Sequence, residues 1–342
     1  AAGYISLMTY GHGLTSSAAL IMADPSLIPN TFPDYVQNGI PVEQTIGNLA
    51  NLVSGVLVVA IVPLVMAAMH PKTHSNIHEI PEPVKEEISE AIDETPPAEP
   101  VPEEETYDRK GRKEEDPESV VMTFADRLNN SRVLGILIAV FPAYYFLNAW
   151  VFQGGGLANV TVNNLTLNSI NAFFLFLAIL LWSSPIRLVN QMKDSVQTIS
   201  GIIFQFPFYA GIAGLLTGTG LATALTEALS GLATPVTWPI IGLISAGIVN
   251  IFIPSGGGQW IAQGSILLET TRQLGMPPST AVIIEMLGDQ LTNMIQPFWA
   301  IPLLAIANLR ARDIIGYTTV AMLVGFIIVG ATLTVFLGVL GM

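Results

Sequence analysis

Two stretches of this chain place polar side chains inside otherwise apolar sequence. Segment 279–309 carries Glu285, Gly288, Asp289, Gln290, Thr292, Asn293, Gln296 and Pro297. Segment 237–274 is interrupted by Pro254-Ser255-Gly256-Gly257-Gly258, with Gln259, Trp260 and Gln263 following. An acid with Thr, Asn and Gln neighbours can carry a proton. It can also hold a small cation, if main-chain carbonyls are freed by a helix break at Gly288 or Pro297. Glycines let a ligand approach the backbone closely. A helix starting near Gln259 would turn its N-terminal N–H groups, worth about half a positive charge, toward an anion. Ser255, Gln259 and Gln263 add hydrogen-bonding groups, and Trp260 an aromatic wall. The plain alternatives are a turn between two helices at 254–258 and a structural, hydrogen-bonded acid at Asp289.

The elements that position these residues follow from charge. Of the 342 residues 51% are hydrophobic and 11% charged, against about a quarter charged in soluble domains. The 26 acids and 13 bases are segregated: residues 70–131 hold 17 of the acids and 7 of the bases, so that 7 − 17 = −10 of the net −13 lies there. Crossing the hydrocarbon layer takes roughly 20 apolar residues. Charge-sparse runs of that order predict an all-α polytopic membrane protein with segments at about 45–69, 132–150, 165–182, 197–216, 237–274, 279–309 and 314–340, besides Ala1–Ala23. The chain reads as one that begins inside a membrane segment.

Residues 70–131 contain PEP and TPPAEPVPEEE and cannot bury enough apolar surface to fold, which predicts a disordered loop. His70, His74 and His78 stand at helical spacing there. Pro71 and the lack of a fixed carboxylate favour a solvated loop over a metal site. The acidic balance excludes nucleic-acid binding. Cysteine is absent, which removes disulfides, zinc thiolates and a Cys nucleophile.

Basic residues of short loops face the cytoplasm. Loop 70–131, Arg187 and Lys193, and Arg310 and Arg312 therefore lie inside, while 24–44, 151–164 and 217–236 lie outside. Parity then requires 237–274 to be a re-entrant hairpin with PSGGG at its tip. This leaves Arg272 outside as the exception. Non-helical backbone at membrane depth is tolerated only where it lines a cavity or is packed in protein. At 1.5 Å per residue, Asp289 falls about 15 Å into its segment, near the midplane. An ionisable residue there is functional by default.

An internal echo links the two ends. Tyr10-Gly11-His12-Gly13-Leu14-Thr15-Ser16 and Leu287-Gly288-Asp289-Gln290-Leu291-Thr292-Asn293 share G-x-x-L-T. The predicted topology runs them in opposite directions, as in inverted repeats whose interrupted helices meet at the midplane. The domains read as 1–69 ending a first repeat, 70–131 a cytoplasmic loop, and 132–342 a second repeat. A membrane-embedded hydrolase using Ser255 and His12 finds no GxSxG motif and no Asp to orient the histidine.

The blocks IPSGGGQWIAQGS (253–265), GDQLTNMIQPFWAIPLLAIANL (288–309), RDIIGY (312–317) and IIFQFPFYAGI (202–212) resemble the short-chain fatty acid transporter family. YISLMTYGHGLTSSAAL resembles that family's Gly-rich first-repeat segment. The resemblance extends over the chain apart from the acidic loop, and family members are longer at the N-terminus. It implies a symporter of the ion-transporter superfamily in a bacterial inner membrane. Such a protein takes up butyrate- or acetoacetate-like monocarboxylates with H+ or Na+, needs no cofactor, and by analogy with related carriers forms a homodimer. The resemblance implies substrate contacts at Ser255–Gln259. By position it implies cation contacts at Thr292 and Asn293; depth and burial cost add Asp289 as a coupling residue, and the internal echo adds Thr15 and Ser16. A cation/proton antiporter using Asp289 is the alternative.

Overall fold

The computed structural model describes residues 2–30, 32–70, 123–152, 165–307 and 309–341. His74, His78 and most of the acidic segment lie outside the described residues. Among the described residues every regular element is helical.

Ala2–Ile5 (α1) tightens into a 3-10 stretch, Ser6–His12. After an irregular Gly13–Ser16 the chain resumes as Ser17–Ala23 (α2). Leu49–Ala68 (α3) starts where the Asn48 side chain accepts from the Ala50 N–H. Phe124–Asn129 (α4), Arg132–Leu147 (α5) and Leu167–Trp182 (α6) begin at Thr123, Ser131 and Thr166, whose hydroxyls accept first-turn N–H groups. Pro185–Gly218 (α7), Leu221–Ser230 (α8), Trp238–Phe252 (α9), Gly256–Gln273 (α10) and Pro278–Thr292 (α11) follow. A 3-10 turn at Pro297–Ala300 leads into Ile301–Ile306 (α12), and Ala311–Leu333 (α13) comes last.

The protein is an all-α polytopic membrane protein. α3 and the helices containing α5 and α13 run for 20, 21 and 29 residues, enough to cross the hydrocarbon, for which about 20 suffice. Between the segments predicted at 165–182 and 197–216 the chain is already helical from Pro185 onward. α6 and the start of α7 meet at 110°, across Ser183 in the left-handed conformation (φ 63°). Pro185, at the first helical position, supplies a ready helix start. Arg187 and Lys193 therefore ride on a helix.

α11 is the centre of the molecule, with every residue from Ser279 to Thr292 buried. Small residues make this possible, because they let helix backbones approach closely in a membrane protein. A Cβ on Gly288 would stand 2.6 Å from Ala246 Cβ and 2.7 Å from the Leu243 carbonyl on α9. One on Gly247 of α9 would stand 2.8 Å from Thr292 Cγ2. Gly288 is thus a packing glycine, and α11 runs unbroken through it. The break lies later, at 293–296, where Gln296 accepts the Phe298 N–H and Pro297 ends the ladder.

The segments sharing G-x-x-L-T run past each other in opposite senses. The Tyr4 hydroxyl reaches Asn293 and Gln296, and the Gly11 N–H reaches Gln290. Met8 and Leu291 both lie against Gly325 of α13.

Candidate functional site

α9 and α10 form a helical hairpin whose arms are joined at successive levels. Trp238 Nε1 donates to Thr271 Oγ1 (2.9 Å), and Gln263 Nε2 to Ser245 Oγ (2.9 Å) and to Thr226 Oγ1 of α8 (3.0 Å). Gln259 Nε2 donates to the Ala246 carbonyl (2.8 Å). Gln259 and Gln263 are therefore turned back along the hairpin rather than toward its tip. Trp260 is buried edge-on to Phe32, at 5.5 Å and 83°. At the tip, Ile253–Ser255 leaves the helix. Ser255 Oγ accepts the Gly258 N–H at 3.4 Å, and the Pro254 carbonyl accepts from Trp299 Nε1 at 3.1 Å. In the first turn of α10 the N–H groups have no intrahelical acceptor.

The break after α11 is closed by groups far away in sequence. Tyr4 Oη donates to the carbonyls of Asn293 (2.5 Å) and Gln296 (2.9 Å). The Asn250 amide nitrogen shares its two hydrogens among the Asp289 carbonyl, Thr292 Oγ1 and Asn293 Oδ1, at 2.8–2.9 Å. Thr292 Oγ1 also donates back to the Gly288 carbonyl (3.3 Å). Most of the oxygens freed at this break are thus engaged within the protein. Asp289 Oδ1 and Asn250 Oδ1 are buried without a partner.

The first break is held from both sides. Thr15 Oγ1 donates to the Tyr10 carbonyl. The Gly11 N–H donates to Gln290 Oε1 (2.8 Å), which turns Gln290 Nε2 toward His12 Nδ1 (2.9 Å). Nδ1 must then be the lone-pair nitrogen, so the Nε2–H points at Ser54 Oγ (3.1 Å). Ser54 in turn donates to the Asn51 carbonyl. His12 is thus a neutral structural link whose nearest hydroxyl is Ser54. Its Nε2 carries a proton and cannot take one from that hydroxyl, which is the reverse of the arrangement a hydrolase needs.

The tip, the first break and the second break meet around a cavity of about 360 Å³ lined by Leu7, Tyr10, Thr15, Ser17, Ser255, Gly256, Asn293 and Trp299. Among the described residues no charged side chain lines it. Asp289 lies immediately behind Gly256, where a Cβ would stand 3.3 Å from Oδ2 and 3.5 Å from Tyr10 Oη. Gly257 faces Ser17 and Ile21 of α2, at 3.4 Å from a Cβ. Arg272 does not serve this site, because it is held by Glu269, with Nε to Oε2 at 3.0 Å and Nη2 to Oε1 at 2.5 Å. That pairing also neutralises the one base that broke the charge rule.

Of the residues predicted from sequence, the fold gathers Ser255, Gly256, Asn293 and Thr15 at the cavity and Asp289 behind it. Gly257 and Gly258 flank it. Thr292 faces Asn250, and Ser16 Oγ is buried without a partner at the start of α2. Sequence reasoning missed Tyr4, Tyr10, Ser17, Asn250 and Trp299. Asn250 alone left a trace, as the one carboxamide in WPIIGLISAGIVNIF.

Residues 1–336 match the family described as short chain fatty acid transporter. A protein of Escherichia coli (strain K12), named as a candidate short-chain fatty acid transporter, is 30% identical over 336 residues, covering 98% of this chain and 68% of that relative. A protein of Haemophilus influenzae with the same name is 29% identical over 329 residues, covering 94% of this chain and 66% of the relative. The chain thus spans about two thirds of the length of these relatives. No solved structure matches it.

Proposed function

Because this chain belongs to the short chain fatty acid transporter family, we propose that it takes up short-chain monocarboxylates such as butyrate or acetoacetate across a bacterial inner membrane, in symport with H+ or Na+. The observation that carries this reading is the cavity at which three helix interruptions converge, lined among the described residues by no charged side chain. An anion there is held by dipoles: the N–H groups of Gly256 and Gly257 at the start of α10, with the hydroxyls of Ser17 and Tyr10 around them. The hairpin of α9 and α10 enters the membrane and returns, and its tip reaches the midplane. The opposed crossing of the two G-x-x-L-T segments supports a pair of inverted repeats around a central site.

Coupling follows from the position of Asp289. A substrate carboxylate at the tip stands across Gly256 from this acid. Two like charges on either side of one glycine, away from bulk water, repel each other. Substrate therefore binds well only when a proton or a sodium ion has neutralised Asp289, and the two cargoes travel together.

The test is uptake of labelled butyrate into proteoliposomes under an imposed proton or sodium gradient. Accumulation driven by one of the gradients is the expected result. Sodium–proton exchange without butyrate movement would establish the antiporter instead.

A further inference from the structure

A second cavity, of about 250 Å³, lies on the other side of the hairpin tip. Phe206, Tyr209, Ala210 and Ala213 of α7 form one wall, and Ile253 and Phe298 close it. The α7 residues recur at the spacing of one helical face. Ser255 lines both cavities, so the two adjoin at one side chain, and Gly258 completes the rim on this side.

The wall is built rather than incidental. Phe298 packs edge-on against Phe206 (5.9 Å, 63°) and against Tyr209 (5.0 Å, 70°). Tyr209 Oη donates to Gln296 Oε1 at 3.4 Å, which sets the ring's height. Phe298 also stands edge-on to Trp299 (5.0 Å, 81°), and Trp299 lines the polar cavity. This aromatic pair partitions a polar space from an apolar one, with the start of α10 at the boundary.

We propose that the apolar cavity receives the hydrocarbon tail of the carried carboxylate, and that Ala210 and Ala213 set the chain length accepted. The proposal rests on the transport reading above, which places the carboxylate at the tip. A molecule charged at one end and apolar at the other fits this division. The carboxylate stays with the N–H groups and hydroxyls, and the tail passes Ser255 to meet Phe206, Tyr209 and Phe298. The volume is just under the roughly 300–1,000 Å³ of clefts that take drug-sized ligands, which suits a tail of a few carbons. The two alanines leave the room that a larger residue would fill.

The test measures binding of acetate, propionate, butyrate and hexanoate to the purified whole protein, by competition with labelled butyrate. Affinity should rise about fourfold per methylene from acetate to butyrate. Ala210→Leu fills the cavity and should lower the butyrate-to-acetate affinity ratio by about tenfold or more. Phe206→Ala enlarges it and should move the optimum toward hexanoate. Opposite shifts from the two variants are not what general damage produces. If Ala210→Leu fails to fold, the shift or lack of shift in Phe206→Ala decides alone. A length profile unmoved by the foldable variants overturns the proposal and leaves the cavity to a membrane lipid chain. If the wild-type protein binds no carboxylate of any length, the transport reading itself fails.

Discussion

Asp289 presents its carboxyl to the backbone of Gly256, so closely that a Cβ on the glycine would stand 3.3 Å from Oδ2. This contact joins the hairpin tip to the central helix. Gly256→Ala should therefore push the acid away from the tip and cut butyrate uptake by tenfold or more, an effect of about 1.4 kcal/mol or larger. Gly257→Val should abolish uptake, because its branched side chain must enter the space between the tip and Ser17. Both proteins should elute as folded monodisperse species in detergent. Wild-type uptake by both would reduce the tip to a turn.

Tyr4→Phe keeps the ring and removes the hydroxyl that serves two carbonyls at the second break. Buried acceptors left without donors cost about 1–3 kcal/mol. The variant should unfold at a lower temperature in detergent, and uptake should weaken with it. An unchanged melting temperature would mean that water replaces the hydroxyl at the Asn293 and Gln296 carbonyls.

The charge pattern predicts Asn130 on the cytoplasmic side and Asn38 outside. The chain has no cysteine, so a single Cys reports its side without background. In intact spheroplasts an impermeant thiol reagent should label Asn38→Cys and spare Asn130→Cys until lysis. The reverse pattern would invert the topology and with it the entry side of the hairpin.

Charge segregation made the helical membrane fold legible, because a bilayer penalises every charged residue in a span. The cost of burying Asp289 drew attention, for the same reason, to the helix that the fold buries along its whole length. In sequence Gly288 reads equally as a break, because a glycine that loosens a helix and one that lets two helices touch look alike. Only Ala246 and Leu243, packed against it, decide between them. Proximity in sequence puts Gln259 and Gln263 with the tip. Their spacing from Gly256 instead follows one face of α10, the face that meets α9. Tyr4 and Asn293 lie 289 positions apart, and no local pattern announces such a bond.

Asp289 has the most consequential test. It is 1% exposed and Oδ1 has no partner. An unpaired carboxylate at membrane depth costs at least ~2.5 kcal/mol on insertion scales, so something must offset it. Arg272 is bound to Glu269 and is itself exposed. The Asn250 nitrogen is shared among three other acceptors, and the hydrogen bond from the Asn293 side chain brings no charge to set against the acid. On the transport reading proposed above, a proton or a sodium ion is the neutralising partner, and either would couple uptake to a gradient. Asp289→Asn keeps the shape and removes the charge. Concentrative uptake of butyrate should then fail, together with its dependence on pH or sodium, while exchange of labelled for unlabelled substrate survives. If the variant still accumulates butyrate against a gradient with the same dependence, Asp289 is structural. Coupling would then belong to the Thr15–Ser16 break, where the buried Ser16 hydroxyl is also without a partner.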